Sequence, residues 1–257
     1  MINNYTVVPA RGGSKGITNK NLQEVLGKPL FLRSLVHASL ISPSAQIILS
    51  TDSEQIIDVA SNFYRIKNFN PRRNEILEFG PIKMHFRSPD LSDDFSLISE
   101  SLFDIRKRLL ELNQKIGVLC LLQPTSPFRS NKELHSIKSI MENSDNRKTS
   151  IVSVTSVMDN HPARMYKLGR KDTLKSLRGF GRYKQSRRQD LPEIFIRDGG
   201  FYLIGDELVK AQVQYSNTPR FIRRTFPYSI NIDNNLDLQI ARSVDSYSVE
   251  DPNEKLT

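Results

Sequence analysis

The residues of this chain best suited to chemistry stand near its start, in Val7-Val8-Pro9-Ala10-Arg11-Gly12-Gly13-Ser14-Lys15-Gly16-Ile17, with Lys20-Asn21 close behind. An apolar run passes straight into a glycine-rich turn carrying Arg11 and Lys15, and Lys20 follows. Glycines let backbone N–H groups approach a phosphate closely, and the cations neutralise it. The pattern suits the triphosphate of a nucleotide. It matches neither Gly-x-x-x-x-Gly-Lys-Ser/Thr nor Gly-x-Gly-x-x-Gly, the two commonest nucleotide loops. A tight surface turn between a strand and a helix would carry the same residue types, so the remainder of the chain has to decide.

The frame that must hold this turn is legible as an alternation of apolar runs and helix-like segments. Strands are expected at 5–9, 47–52, 116–122, 151–154, 201–204 and 229–233. Helices are expected at 30–40, 53–62, 96–112, from the capping box Ser130-Asn131-Lys132-Glu133 to about 141, and at 236–244. Such alternation argues for an α/β fold with a mostly parallel sheet flanked by helices. Ligands of such sheets bind outside the carboxyl ends of the strands. Arg11, Asp52 and Gln123 all follow or end apolar runs and would line one crevice. Asp52 reads equally well as the N-cap of the helix after it. The stretch 156–197 breaks the pattern and suits a β-arm, a lid or a dimer contact. Residues 1–245 read as one domain with that arm inside it, and 246–257 as a C-terminal tail.

Composition narrows the classes. The chain has 257 residues, 38% of them apolar, and a formal net charge of +9. No run of about 18 apolar residues appears, so no membrane span is expected, and no signal peptide is apparent. The single cysteine, Cys120, excludes an internal disulfide and sits in an apolar run as a core residue. A reducing cytoplasm fits these features. The basic balance suits polyanionic partners: nucleic acid, anionic lipid or small phosphorylated ligands. The cations are scattered, with local density at 182–188 and 220–224, and no nucleic-acid signature accompanies them. His37, His85, His135 and His161 show no metal spacing and are taken as structural.

Further stretches join the opening: Ser50-Thr51-Asp52, Leu121-Leu122-Gln123-Pro124-Thr125-Ser126-Pro127-Phe128-Arg129, Arg187-Arg188-Gln189-Asp190-Leu191-Pro192, and Ile230-Asn231-Ile232-Asp233 with Leu236-Asp237-Leu238. Together, in order and from about 5 to 244, they resemble the acylneuraminate cytidylyltransferases, or CMP-sialic acid synthetases. The resemblance implies a Rossmann-like nucleotidyltransferase with a small dimerisation insert, acting as a homodimer. It implies that CMP from CTP is joined to the anomeric hydroxyl of a nonulosonic acid, with pyrophosphate released and Mg²⁺ (or Mn²⁺) as cofactor. The sugar hydroxyl attacks the α-phosphorus, so catalysis rests on positioning and charge neutralisation.

By similarity, Arg11, Ser14 and Lys15 hold the CTP phosphates, Gly12 and Gly13 shape the loop, and Lys20 and Asn21 face the nucleotide. Arg87 matches an arginine near the base and ribose, although an ion pair with Asp90 would also explain it, and Ser96 is aligned with a hydroxyl that reads cytosine. Gln123, Arg188 and Tyr202 are expected at the sugar acid. The catalytic set is then Arg11, Lys15, Lys20 and Asp233. Where the family has Asp-Ile-Asp, this chain has Asn231-Ile232-Asp233. Asp233 is therefore the expected principal metal ligand and Asn231 a weaker one, because an amide adds no negative charge. Two further departures are the long 65–83 stretch, which has no assigned role, and Asp198, whose charge near an anionic sugar calls for a partner such as Arg197. A synthetase acting on the eight-carbon acid Kdo is an alternative, as is a catalytically impaired nucleotide-binding relative.

Overall fold

A computed structural model describes residues 2–13, 16–93, 96–143, 147–157, 160–183 and 186–244, with only the backbone of Arg188 among them. In chain order the elements are β1 (Ile2–Pro9), β2 (Glu24–Val25), β3 (Lys28–Pro29), α1 (Leu30–Ile41), β4 (Ile47–Thr51), α2 (Glu54–Tyr64), β5 (Ile76–Phe79), β6 (Ile82–Phe86) and α3 (Ile98–Glu111). They continue with β7 (Lys115–Leu121), α4 (Asn131–Glu142), β8 (Ser150–Ser156), β9 (Tyr166–Leu168), β10 (Leu174–Ser176), β11 (Phe195–Gly205), α5 (Asp206–Lys210), β12 (Arg220–Arg224) and α6 (Asn235–Ser243).

One sheet has the order β12-β8-β11-β7-β1-β4-β6-β5. Strands β12, β8, β7, β1, β4 and β6 share a direction, while β11 and β5 oppose it. Successive side chains of a strand go to opposite faces, and here both faces are covered. On β7, Val118 and Cys120 join the core under α1, α2 and α4, whereas Leu119 and Leu121 join the core under α3 and α5. A strand buried on both sides reads as continuous apolar sequence, which is why 116–122 shows no alternation. Helix starts follow local chemistry. Ser130 accepts from the Glu133 N–H and Glu133 returns a carboxylate to Ser130, so α4 opens with the expected capping box. No helix among the described residues is long and apolar enough to cross a membrane.

The structure corrects several expectations. Residues 229–233 are not a strand. Ile230 and Ile232 alternate inward because they pack with Phe128 and Leu238 beneath a loop, and the Ile232 N–H donates to the Thr125 carbonyl at 2.8 Å. One missed edge strand is β12, whose arginines hid it as a basic cluster; charged side chains suit a sheet edge. The N-cap of α2 is Ser53, whose hydroxyl accepts from the Ile56 N–H, and not Asp52. The arm interval contains the β9–β10 hairpin and the first residues of β11. The 65–83 stretch carries β5, which pairs antiparallel with β6 and ends the sheet. The expected tail at 246–257 lies outside the described residues.

Candidate active site

At the carboxyl ends of β1, β6 and β7 the loops enclose a cleft of about 440 Å³. Arg11, Gly16, Lys20 and Asn21 line it from the loop after β1, Arg87 from the end of β6, Ser96 from the approach to α3, and Gln123 and Thr125 from the loop after β7. Residues far apart in sequence converge because parallel strands present all their carboxyl ends on one side.

The loop after β1 is tied at both ends. The Asn21 amide donates to the Arg11 carbonyl at 2.8 Å, and the Gly12 N–H donates to Asp52 Oδ1 at 3.0 Å. Asp52 thus lies behind the loop as a strut. Its same oxygen stands 3.7 Å from a terminal nitrogen of Arg87, so the ion pair foreseen for Arg87 is with Asp52 and not Asp90. Arg87 is only 4% exposed. Burial holds its guanidinium below the ordinary pKa, Asp52 opposes that shift, and Arg11 adds to it. Its Nε and Nη2 have no hydrogen-bond partner among the described residues. Buried donors without acceptors are costly, and these belong to a residue that lines the cleft.

Lys20 reaches across to the loop before α6. Its ammonium donates to the Ile232 carbonyl at 3.0 Å and stands 3.4 Å from Asp233 Oδ1. Gly16 makes this approach possible, since a Cβ there would lie 2.5 Å from the Asp233 carbonyl oxygen. Asp233 Oδ2 accepts from the Asn231 amide at 2.6 Å, and that hydrogen bond orients the amide. Asn231 therefore turns its nitrogen, not its oxygen, toward the carboxylate; its Oδ1 is buried without a partner among the described residues. Mg²⁺ needs only one or two carboxylates when substrate phosphates and waters complete its shell. The exposed carboxylate of Asp233 meets that requirement alone. No cluster of three or more His, Cys, Asp or Glu among the described residues is arranged to hold a metal.

The other expected residues divide. Ser96 lines the cleft, and its hydroxyl donates within its own turn to the Asp90 carbonyl or Asp93 Oδ1. Gln123 lies against Gly199, where a Cβ would sit 2.9 Å from its Oε1 and where φ is +73°. Tyr202 does not line the cleft. It is 7% exposed, packs in the core under α3 and stacks on Tyr215. Gly12 and Gly13 lie in the described part of the loop, whereas Ser14, Lys15 and the Arg188 side chain lie outside the described residues.

Behind Gln123 is a buried charge network that sequence reasoning missed. The Arg129 guanidinium donates to the carbonyls of Gln123 at 2.9 Å and Gly200 at 2.6 Å. Arg224 pairs with Glu133 at 2.5 Å and with Asp198 at 3.2 Å. Asp198 thus takes Arg224 as its partner, not Arg197, whose guanidinium stacks on Tyr215. The signal was partial: Asp198 stood out as a charge in need of a cation, but the cation comes from another strand.

Three comparisons bear on this site. A family model described as Cytidylyltransferase matches residues 5–244. CMP-N,N'-diacetyllegionaminic acid synthase of Legionella pneumophila is 35% identical over 123 residues, 48% of this chain and 46% of that protein. Pseudaminic acid cytidylyltransferase of Campylobacter jejuni is 27% identical over 199 residues, 77% of each chain. N-acylneuraminate cytidylyltransferase A of Danio rerio is 27% identical over 239 residues, 91% of this chain and 49% of that protein. The chain spans about half the length of several curated relatives it matches. Among solved structures, CMP:2-keto-3-deoxy-manno-octonic acid synthetase complexed with CTP superposes with a TM-score of 0.59 at 13% identity, covering 93% of this chain and 97% of that one, which is a likeness of fold.

Proposed function

This chain belongs to the cytidylyltransferase family, and from that premise we propose that it joins CMP, taken from CTP, to the anomeric hydroxyl of a nonulosonic acid and releases pyrophosphate. The observation that carries this reading is the convergence of Arg11, Lys20, Arg87 and Gln123 on one cleft at the strand ends. Arg11 and Lys20 supply positive charge where the α-phosphate and leaving pyrophosphate gather negative charge. Fixed cations in a cleft cost no reorganisation at the transition state. Arg87 offers spare donors to the nucleotide, and Gln123 offers an amide to the acceptor. The sugar hydroxyl forms the new P–O bond as the α–β phosphoanhydride bond breaks, so no side-chain nucleophile takes part. Asp233 would hold a Mg²⁺ ion, whose chemistry would be to neutralise charge on the CTP phosphates.

The names of the relatives span legionaminic, pseudaminic and acylneuraminic acids, which supports the nine-carbon class rather than one member. The β9–β10 hairpin exposes Leu168 and Leu174, 80% and 64% accessible, and supports assembly as a homodimer through the arm. The soluble substrates and the buried single thiol suit the cytoplasm. The reading is tested by pyrophosphate release from CTP and Mg²⁺ with a panel of nonulosonic acids and Kdo. Release with a nonulosonic acid is expected. Release with Kdo alone, or with no acid even when Mn²⁺ replaces Mg²⁺, overturns it.

A further inference from the structure

The 65–83 stretch delivers Arg73 to the back of the cleft. Arg73 Nη1 donates to the Arg87 carbonyl at 2.7 Å, and its guanidinium lies 4.1 Å from the centroid of the Phe86 ring. The next residue, Asn74, donates its backbone N–H to the Phe86 carbonyl at 2.8 Å. From the opposite side the Arg87 N–H donates to the Thr51 carbonyl at 2.7 Å. The backbone where β6 ends is therefore held from two directions, by β4 and by the corner before β5. Arg73 itself does not line the cleft.

Arg87 is the residue that gains from this grip. Its side chain leaves the backbone at the pinned point, brings Nη2 to within ion-pair distance of Asp52, and keeps Nε and Nη2 without a hydrogen-bond partner among the described residues. A long side chain presents its donors accurately only when its backbone is fixed and its path is packed. We propose that Arg73 is a positioning residue for the nucleotide: by holding the Arg87 carbonyl and the Phe86 ring, it fixes the angle at which the spare Arg87 donors meet CTP. The inference rests on the cytidylyltransferase reading above.

The test is a double-mutant cycle read by calorimetric CTP binding and by steady-state kinetics on the full chain. R73M removes the donor and the cation but keeps an apolar stem. It should weaken CTP binding by about three- to tenfold, the range of one hydrogen bond, and raise KM for CTP without a matching fall in kcat. R73K, which keeps a cation over Phe86, should recover part of the loss. In an R87M background R73M should cost nothing further, because its effect runs through Arg87. R73L, which also lacks donor and cation, carries the same expectation should R73M fail to fold. An equal loss with and without Arg87, or no loss of CTP binding in R73M, overturns the proposal. Failure of the unaltered protein to bind CTP overturns the functional reading first, and this inference with it.

Discussion

Lys20 and Asp233 form an ion pair whose carboxylate is mostly exposed, 68% against 16% for the lysine. Such pairs contribute little to stability, so the value of Lys20 lies in the cleft. K20M should lower kcat/KM by about 10²- to 10³-fold, the cost of losing one preorganised charge, while the unfolding midpoint stays near that of the unaltered protein. Asn231 makes a second prediction. N231D removes the donor now held against Asp233 and adds a carboxylate, so Mn²⁺ titrated without nucleotide and followed by electron paramagnetic resonance should bind about tenfold more tightly or better. Some placements were legible because residue type in a local pattern constrains them, as for Arg11, which follows β1 and lines the cleft. Others were not. Asp52 reads as a helix cap, yet its oxygen serves the Gly12 N–H and Arg87. Ser50, His85 and Asp104 form a hydrogen-bonded line that resembles a hydrolytic triad. Ser50 and His85 are fully buried, so the line acts as a strut between β4, β6 and α3.

At the scale of elements, the wall behind Gln123 depends on arginines that join α4, β11, β12 and the 123–129 loop. Arg224 satisfies two buried carboxylates and also donates to the Phe128 carbonyl. R224M would leave Glu133 and Asp198 buried without their cation and should cost about 3–5 kcal/mol in denaturant unfolding. Arg129, wholly buried, has its pKa pushed down to about 9, first by burial and then by neighbouring Arg224, with Glu133 opposing. A different element-scale change tests the front of the cleft. G16A would force the loop after β1 away from the Asp233 backbone, so activity should fall far more than stability, measured as kcat/KM beside the thermal midpoint. The capping box at Ser130 was legible because its spacing is local. The second use of Glu133, as the partner of Arg224, was not, since 91 residues separate the two.

Over the whole molecule, buried histidines give stability a pH dependence of defined sign. Burial, then Arg129, Arg33 and Arg224, holds His37 well below the ordinary value of 6.5. Burial also lowers His85, although Asp104 opposes it. The folded state resists protonation of these rings, whereas the unfolded chain takes up protons as pH falls through about 6.5. Stability should therefore decline below that pH, and H37Q should flatten the decline in denaturant midpoints recorded between about pH 7.5 and 5.5.

Strand β7, the apolar faces of the helices and the capping box at Ser130 were legible in sequence, because each depends on residues within a few positions of one another. The burial of Cys120, with its thiol pushed up to about 12 by desolvation, follows from the same local pattern. Tertiary structure alone decided that 229–233 is a packed loop, that β12 closes the sheet, that Asp198 pairs with Arg224, and that Tyr202 belongs to the core. In each case the deciding partner lies far away in sequence. Alternating apolar residues bury equally well under a loop or in a sheet, and a charge names the sign of its partner but not its place, which only the assembled chain supplies.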